Sequence, residues 1–62
     1  MNKTPDQILE LALEKERAAY NFYNEAVSGS KIEMIRELLE ELRNEEAKHI
    51  KLIEKKLAEM QL

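Results

Sequence analysis

The most informative absence in this sequence is cysteine, of which the 62 residues contain none. Disulfide bonds are therefore excluded, and so is any zinc or iron–sulfur site built on thiolates. A domain of this size buries only about 60% of its unfolded surface, so it usually needs a disulfide, a metal or a partner chain. We therefore expect a metal held by oxygen and nitrogen ligands, association with a second chain, or both.

Long apolar runs and a strong charge of one sign are also missing. No segment approaches the roughly 18 apolar residues of a membrane span. The 10 basic and 13 acidic side chains are mixed along the chain and leave a net charge of −3. This pattern excludes a basic patch for nucleic acid or an anionic membrane. Residues 1–6 are polar and lack the apolar core of a signal peptide, so the sequence predicts a cytoplasmic protein without nucleic-acid or membrane partners.

Proline occurs once, at a position that favours the start of a helix. Thr4 is a good N-cap, and Pro5 fits the first helical position, where no N–H group is needed. Gln7 follows Thr4 by three residues, which is the spacing of a capping box. The sequence therefore predicts that the first helix begins at about residue 5.

Glycine also occurs once, within the segment Ser28-Gly29-Ser30. We expect Gly29 to take the left-handed conformation that ends a helix, and Ser30 to form a second capping box with Glu33. So short a connection forces two helices to lie antiparallel. The sequence predicts an all-α hairpin forming one domain over 1–62, with helices at about 5–27 and 31–60 and a turn at 28–30.

Each predicted helix carries a stripe of mostly apolar residues spaced three or four apart. Further apolar residues flank each stripe. The opposite side of the second helix is interpreted as a solvated face, and it carries Arg36, Glu40, Glu41, Arg43, Asn44, Lys48, Lys51 and Lys55. Pairing two hairpins in a four-helix bundle would bury both sectors, and a homodimer is the simplest closed arrangement, with higher oligomers of dimers as an alternative. The stripes are Leu9, Leu13, Glu16, Tyr20, Tyr23 and Val27 in the first helix, and Ile32, Ile35, Leu39, Leu42, Glu46, His49, Ile53, Leu57 and Met60 in the second.

Three polar residues interrupt these stripes: Glu16 in the first, and Glu46 and His49 in the second. A buried carboxylate must be protonated, paired or bound to a metal. At about 1.5 Å per residue, Glu16 lies roughly 20 Å and Glu46 roughly 25 Å from the turn. Side chains tilt toward the N-terminus of their own helix, which closes most of this difference, so the three side chains can converge. Two copies would supply four carboxylates and two imidazoles, the ligand set of di-iron and di-manganese bundles. Iron or manganese suits such ligands, and zinc or cobalt could replace them.

Tyr20 and Tyr23 follow Glu16 by four and seven residues, on the same face of the first helix. One interpretation is that a phenol, Tyr23 before Tyr20, donates a hydrogen bond to a ligand carboxylate. The alternative is that both are core aromatic residues with one end in water.

Two segments resemble known motifs. Glu16-Arg-Ala-Ala-Tyr-Asn-Phe-Tyr23 resembles the first-helix motif of the rubrerythrin and ferritin-like superfamily, and Glu45-Glu46-Ala-Lys-His49 resembles its second-helix motif. The resemblance extends from about Gln7 to Leu57 and is to half of a usual four-helix member. It is strongest to the encapsulated ferritins, which are two-helix proteins.

The resemblance implies a ferroxidase, an oxidoreductase that converts Fe(II) to Fe(III) for storage. It implies that Glu16, Glu46 and His49 are the metal ligands and catalytic residues of a di-iron centre formed between two subunits. It also implies a place inside an encapsulin shell. The further C-terminal helix and shell-targeting tail of encapsulated ferritins do not occur within these 62 residues.

Three other functions remain open from the residues themselves. A rubrerythrin-like protein that reduces peroxide would use the same metal core. A helical dimer could bind metal for stability without turnover, because metal binding is coupled to folding. A plain helical interaction module would need no metal, and replacing Glu16 or Glu46 by leucine would then stabilise it at no functional cost.

Overall fold

A computed structural model describes residues 2–61 as two antiparallel α-helices joined by a short turn. Helix α1 spans Pro5–Gly29 and helix α2 spans Glu33–Met60, with 25 and 28 residues respectively. The pair measures 45 × 22 × 13 Å. The prediction of an all-α hairpin is confirmed. Neither helix combines the length and the apolar character that crossing a lipid bilayer requires.

The start of α1 follows the sequence prediction. The Gln7 backbone N–H donates to Thr4 Oγ1 at 3.4 Å, and the Thr4 N–H donates to Gln7 Oε1 at 3.0 Å. These two bonds form the predicted capping box, and Pro5 occupies the first helical position. The box satisfies donors that every helix N-terminus leaves without an intrahelical partner.

The turn differs from the prediction. Helix α1 continues through Gly29, whose φ is not positive, so the expected left-handed conformation is wrong. The chain instead reverses through extended backbone at Ser30 and Ile32. Ile32 is therefore the N-cap of α2, and Glu33 is the first residue of the helix. A capping box needs its acidic residue at the third helical position, so Glu33 cannot form one. The second capping box is wrong for that reason, and the Ser30 hydroxyl donates to the Ile32 carbonyl at 3.4 Å.

The contact between α1 and α2 buries little of either helix. Among residues 2–61, only Leu13 and Leu57 are buried apolar side chains. Burial of apolar surface is the main stabilising contribution to a fold, so a single hairpin is weakly stabilised. In the described segment 2–61, eight large apolar side chains are exposed: Ile8, Phe22, Ile32, Met34, Ile35, Leu38, Leu52 and Met60.

Polar contacts connect the two helices along one side of the hairpin. Arg17 Nη2 donates to Glu54 Oε2 at 2.9 Å, and Arg43 Nη1 donates to Asn24 Oδ1 at 3.1 Å. At about 100° per residue, these side chains project from the side opposite to most of the exposed apolar residues. We call that apolar side the open face; it comprises Ile8, Ala12, Ala19, Phe22 and Ala26 of α1 and Ile35, Leu38, Leu42 and Leu52 of α2.

Candidate metal centre

The three polar residues that interrupt the apolar stripes lie near the middle of the hairpin. Glu16 lies in the central part of α1, and Glu46 and His49 lie one turn apart in the central part of α2. Because the helices are antiparallel and joined by a short turn, these positions reach the same level. One ligand atom from each residue lies within 4.8 Å of the other two. The structure thus brings together the three residues that the sequence selected, and their role as metal ligands stays a prediction.

The imidazole of His49 lies against both carboxylates. Its Nδ1 is 2.9 Å from Glu16 Oε2 and 3.7 Å from Glu46 Oε2. The exposed fraction of the side chain is 50% for His49, 29% for Glu16 and 18% for Glu46. The cluster is therefore shallow, with the carboxylates set deeper than the imidazole, and helical spacing places His49 at the border of the open face.

Glu46 is the member of the cluster whose carboxyl group is not fully hydrogen-bonded. Its Oε2 is buried and has no hydrogen-bond partner. The neighbouring Glu16 carboxyl raises the pKa of Glu46, and burial raises it further because the charged form loses hydration. A buried acceptor without a partner destabilises a fold, so this oxygen needs a proton or a cation.

The other two groups titrate in directions that agree with this arrangement. The neighbouring Glu46 carboxyl and then the His49 imidazole lower the pKa of Glu16. The bond to Glu16 raises the pKa of His49, and the charges of both carboxylates add to it. The two carboxyl pKa values are pushed apart because like charges held close together cannot both ionise at no cost.

The chemistry of this donor set fits a divalent transition metal. Two carboxylates and one imidazole are the hard oxygen and borderline nitrogen ligands that iron and manganese accept in proteins. A cation beside Glu46 would also satisfy its buried oxygen. One hairpin supplies only three ligand residues within residues 2–61, so further coordination positions would have to be filled from the side of the open face.

The two tyrosines are near the cluster in sequence but make no polar contact with it. Tyr20 and Tyr23 are both half-buried on α1. The Tyr23 ring packs edge-on against Phe22, with centroids 5.4 Å apart and an interplanar angle of 69°. In the described part of the chain, neither phenol oxygen forms a hydrogen bond. A role for Tyr20 or Tyr23 in orienting a ligand therefore stays a prediction.

Sequence reasoning did not identify the polar contacts that hold the helices beside the cluster. Arg17 follows Glu16 directly, and its bond to Glu54 ties α1 to α2 next to the ligands. Arg43 was assigned to the solvated face of α2, yet it is half-buried and donates to Asn24. Charged residues are frequent on both helices, so spacing alone does not show which of them meet across the hairpin.

Comparison with known protein families gives a match over nearly the whole chain. A family model described as Rubrerythrin matches residues 7–62. Comparison with curated proteins and with solved structures finds no match. Rubrerythrin-type domains generally bind iron, and the carboxylate–histidine cluster lies within the matched region. Because the match covers far more than half of its residues, the chain belongs to the rubrerythrin family of ferritin-like proteins.

Proposed function

We propose that two copies of this chain form a four-helix bundle and build a di-iron carboxylate centre that oxidises Fe(II) to Fe(III). The observation that carries this proposal is the position of the cluster. Glu16, Glu46 and His49 converge at mid-length of the hairpin, beside an apolar face that one chain leaves exposed. A second copy placed on that face would complete the ligand set and bury the face in one step.

The ligand count supports two metal ions per dimer. Two copies supply four carboxylates and two imidazoles, which is the set found in di-iron bundles of the ferritin-like kind. Four carboxylate charges balance two divalent cations. When bound, each Fe(II) would supply one electron to an oxidant such as dioxygen or peroxide. Manganese, zinc or cobalt could occupy the same ligands without supporting that oxidation.

The residues of the chain have separable roles in this proposal. Glu16 and Glu46 would bind metal through carboxylate oxygens, and His49 through Nδ1, the ring nitrogen that lies nearest to both carboxylates. Because ligands must be deprotonated, metal binding would displace the protons that the cluster holds in its absence. The Arg17–Glu54 pair would keep the two helices at the spacing that brings the ligands together.

The two-helix architecture supports a further specification of this function. A hairpin that needs a second copy to complete its centre is similar to the encapsulated ferritins, as the motifs of the sequence imply. In that reading the ferric product is stored, which removes reactive iron from a cytoplasmic or encapsulin-enclosed compartment. The supporting observation is that one hairpin brings together Glu16, Glu46 and His49, which are half of the ligand set of a di-iron bundle.

The buried oxygen of Glu46 supports a second candidate function. A cation that satisfies this atom would stabilise the dimer even without turnover. The candidate predicts a metal-dependent rise in melting temperature and no iron oxidation. Peroxide reduction is a further alternative within the family. Faster oxidation of Fe(II) by hydrogen peroxide than by dioxygen would favour it.

The experiment that tests the ferroxidase proposal begins with anaerobic addition of Fe(II) to the purified protein. Admission of air should produce ferric absorbance in the wild type, with a rate well above that of iron in buffer. Glu46→Ala and His49→Ala should reduce this rate to that of buffer, while Glu37→Ala on the exposed surface of α2 should not change it. Equal oxidation by wild type and the two ligand variants would falsify the proposal.

Metal content and mass in solution test the assembly directly. We expect a dimer or a multiple of it, with up to two iron ions per dimer. A melt with and without chelator completes the comparison: stabilisation by metal without oxidation would favour the non-catalytic dimer, and an unchanged melting temperature would argue against any buried metal.

A further inference from the structure

We propose that the Arg17–Glu54 ion pair is a positioning contact, which fixes the axial register of α1 against α2 and thereby sets how tightly the centre binds metal. This inference rests on the proposed metal centre and assigns to it two residues that are not ligands. Arg17 Nη2 lies 2.9 Å from Glu54 Oε2, beside the cluster. Each helix supplies part of the ligand set, so the register between the helices decides whether the ligands meet.

Apolar packing determines this register only weakly. Interlocking side chains normally hold one helix in a fixed position along another. Within residues 2–61, however, Leu13 and Leu57 are the only buried apolar side chains. Polar contacts must therefore contribute to the register. In the described chain, three hydrogen bonds between side chains join α1 to α2, and they connect Glu16 with His49, Arg43 with Asn24, and Arg17 with Glu54.

The Arg17–Glu54 contact runs diagonally along the hairpin. Glu16 and His49 meet, so they serve as the reference level. Relative to that level, Arg17 lies one residue nearer the turn and Glu54 lies five residues farther from it. The two side chains therefore bridge six residues, or about 9 Å, along the helix axis. A contact that runs along the axis is stretched when one helix slides past the other, so this pair opposes sliding of α2 away from the turn.

The turn opposes sliding in the other direction. Four peptide steps lead from Gly29, the end of α1, to Glu33, the start of α2. They span at most about 14 Å when extended, and packed helix axes are already about 8–10 Å apart. The backbone is extended at Ser30 and Ile32, so little length is left to lengthen the connection. The turn and the ion pair together hold α2 at one position along α1.

The ion pair acts on the side of the cluster that the turn restrains least. The Asn24–Arg43 contact lies between the cluster and the turn, where the short connection already limits movement. The Arg17–Glu54 contact lies toward the chain ends, far from the turn. Loss of Arg17–Glu54 should therefore disturb the ligands more than loss of Asn24–Arg43.

The exposure of the pair separates this role from a contribution to overall stability. The side chains of Arg17 and Glu54 are 57% and 48% exposed, and exposed ion pairs stabilise a fold only slightly. A small contribution is enough to select between registers that bury similar apolar surface. Metal ligands need placement to within about 0.5 Å, so a small change in register weakens binding even when the hairpin stays folded.

Co(II) binding to the purified protein tests this inference, because its visible bands report the arrangement of the ligands. Arg17→Glu and Glu54→Arg should each raise the Co(II) dissociation constant about three- to tenfold and alter the bands, and the double exchange should restore both. Arg36→Glu is the matched control, because Arg36 pairs with Glu33 inside α2. This control makes the same change of charge and should change the constant by less than about twofold.

Electrostatics without a change of register makes the opposite prediction for one variant. Arg17→Glu adds negative charge beside the ligands, which by itself would tighten the binding of a cation. Tighter binding by Arg17→Glu therefore overturns the inference. Unchanged Co(II) binding in both single variants also overturns it and leaves the proposed centre intact. If the wild type binds no Co(II), or if His49→Ala binds it equally well, the proposed centre itself fails.

Distances between spin labels measure the register without metal, and the absence of native cysteine permits labelling at two chosen sites. Glu10→Cys and Asn44→Cys are at exposed positions on opposite sides of the cluster. They lie six residues before Glu16 and five before His49, so the labels are about 16 Å apart along the axis. Dilution with unlabelled protein isolates the distance within one chain.

Arg17→Glu should broaden or shift this distance distribution, whereas Arg36→Glu should not. Arg17→Gln removes the charge without placing two carboxylates together, so it should give a smaller change in the same direction. This milder variant serves where Arg17→Glu does not fold, as judged by helical circular dichroism. Identical distributions in wild type and in the folded Arg17 variants overturn the inference.

Discussion

Glu46 lies in the hairpin at an energetic cost when no metal is bound, because its Oε2 is buried without a hydrogen-bond partner. We predict that Glu46→Leu raises the free energy of unfolding of the metal-free protein by about 1–2 kcal/mol. The substitution removes an unsatisfied acceptor and adds apolar contact between the helices. Urea denaturation in the presence of a chelator measures the change.

The same variant should lose any stabilisation by Fe(II), so its stability and its proposed function would move in opposite directions. Glu37→Leu, at an exposed position of the same helix, should change the free energy of unfolding by less than about 0.5 kcal/mol. A metal-free Glu46→Leu protein that is less stable than wild type would contradict this account of Glu46.

His49 is the single histidine of the chain, so its titration can be followed without overlap. Its pKa is raised, first by the hydrogen bond to Glu16, relative to the ordinary value of 6.5. A raised pKa in the folded state stabilises the protein fully below pH 6.5, and this contribution is lost as the pH rises through the folded-state pKa. We therefore expect the stability of the metal-free protein to decline over that interval.

An NMR titration of the His49 ring protons in the metal-free protein measures the shift directly. Glu16→Gln replaces by a neutral amide the carboxylate whose hydrogen bond contributes most to the raised pKa, and should move the pKa of His49 back toward its ordinary value. Identical His49 titrations in wild type and Glu16→Gln would show that the contact between Glu16 and His49 does not persist in solution.

Among the secondary-structure elements, the N-termini of the two helices differ, although the sequence predicted a capping box at each. Thr4 forms its box with Gln7, whereas Ser30 does not cap α2. Thr4→Ala should therefore lower the free energy of unfolding by about 1 kcal/mol, and Ser30→Ala should change it by only a few tenths. Thermal or urea unfolding of the two variants measures the difference, and equal losses would contradict the observed turn.

The end of α1 offers a stabilising substitution. Gly29 is helical with no positive φ, and a Cβ added there meets nothing within 4 Å. Gly29→Ala should raise the free energy of unfolding by about 0.5–1 kcal/mol, because alanine has less conformational freedom to lose on folding. A decrease would show that Gly29 takes a left-handed conformation after all.

These elements show which features the sequence could predict. Local signals sufficed for the start of α1, where Thr4 and Gln7 are three residues apart. Helical spacing and a single short turn also sufficed to bring Glu16 and His49 to one level. The path of the turn could not be predicted, because extended backbone reverses the chain as well as a left-handed glycine does. The contact between Arg43 and Asn24 depends on how the helices are rotated about their axes, and spacing within one helix does not determine that rotation.

The whole molecule is a hairpin whose main exposed apolar surface lies on one side. A 62-residue chain that buries so few of its apolar side chains has little stability to lose. If a second copy covers the open face, folding and association are coupled, and the melting temperature should rise with protein concentration. A scan over a hundredfold range of concentration measures this dependence, and a constant melting temperature would indicate a stable monomer.

Leu52 tests the open face most directly, because 66% of its surface is exposed in one hairpin and it contributes little to contact between α1 and α2. Each dimer would bury two copies of this side chain, and a leucine contributes about 1.5–3 kcal/mol when it is fully buried. Leu52→Glu should therefore raise the dimer dissociation constant at least tenfold, as measured by sedimentation equilibrium. Lys51→Glu makes the neighbouring position acidic on the outer side of α2 and should have a much smaller effect. If both variants dimerise as tightly as wild type, the open face is not the surface that joins the two chains. A second copy then cannot complete the set of metal ligands formed by Glu16, Glu46 and His49 through this face.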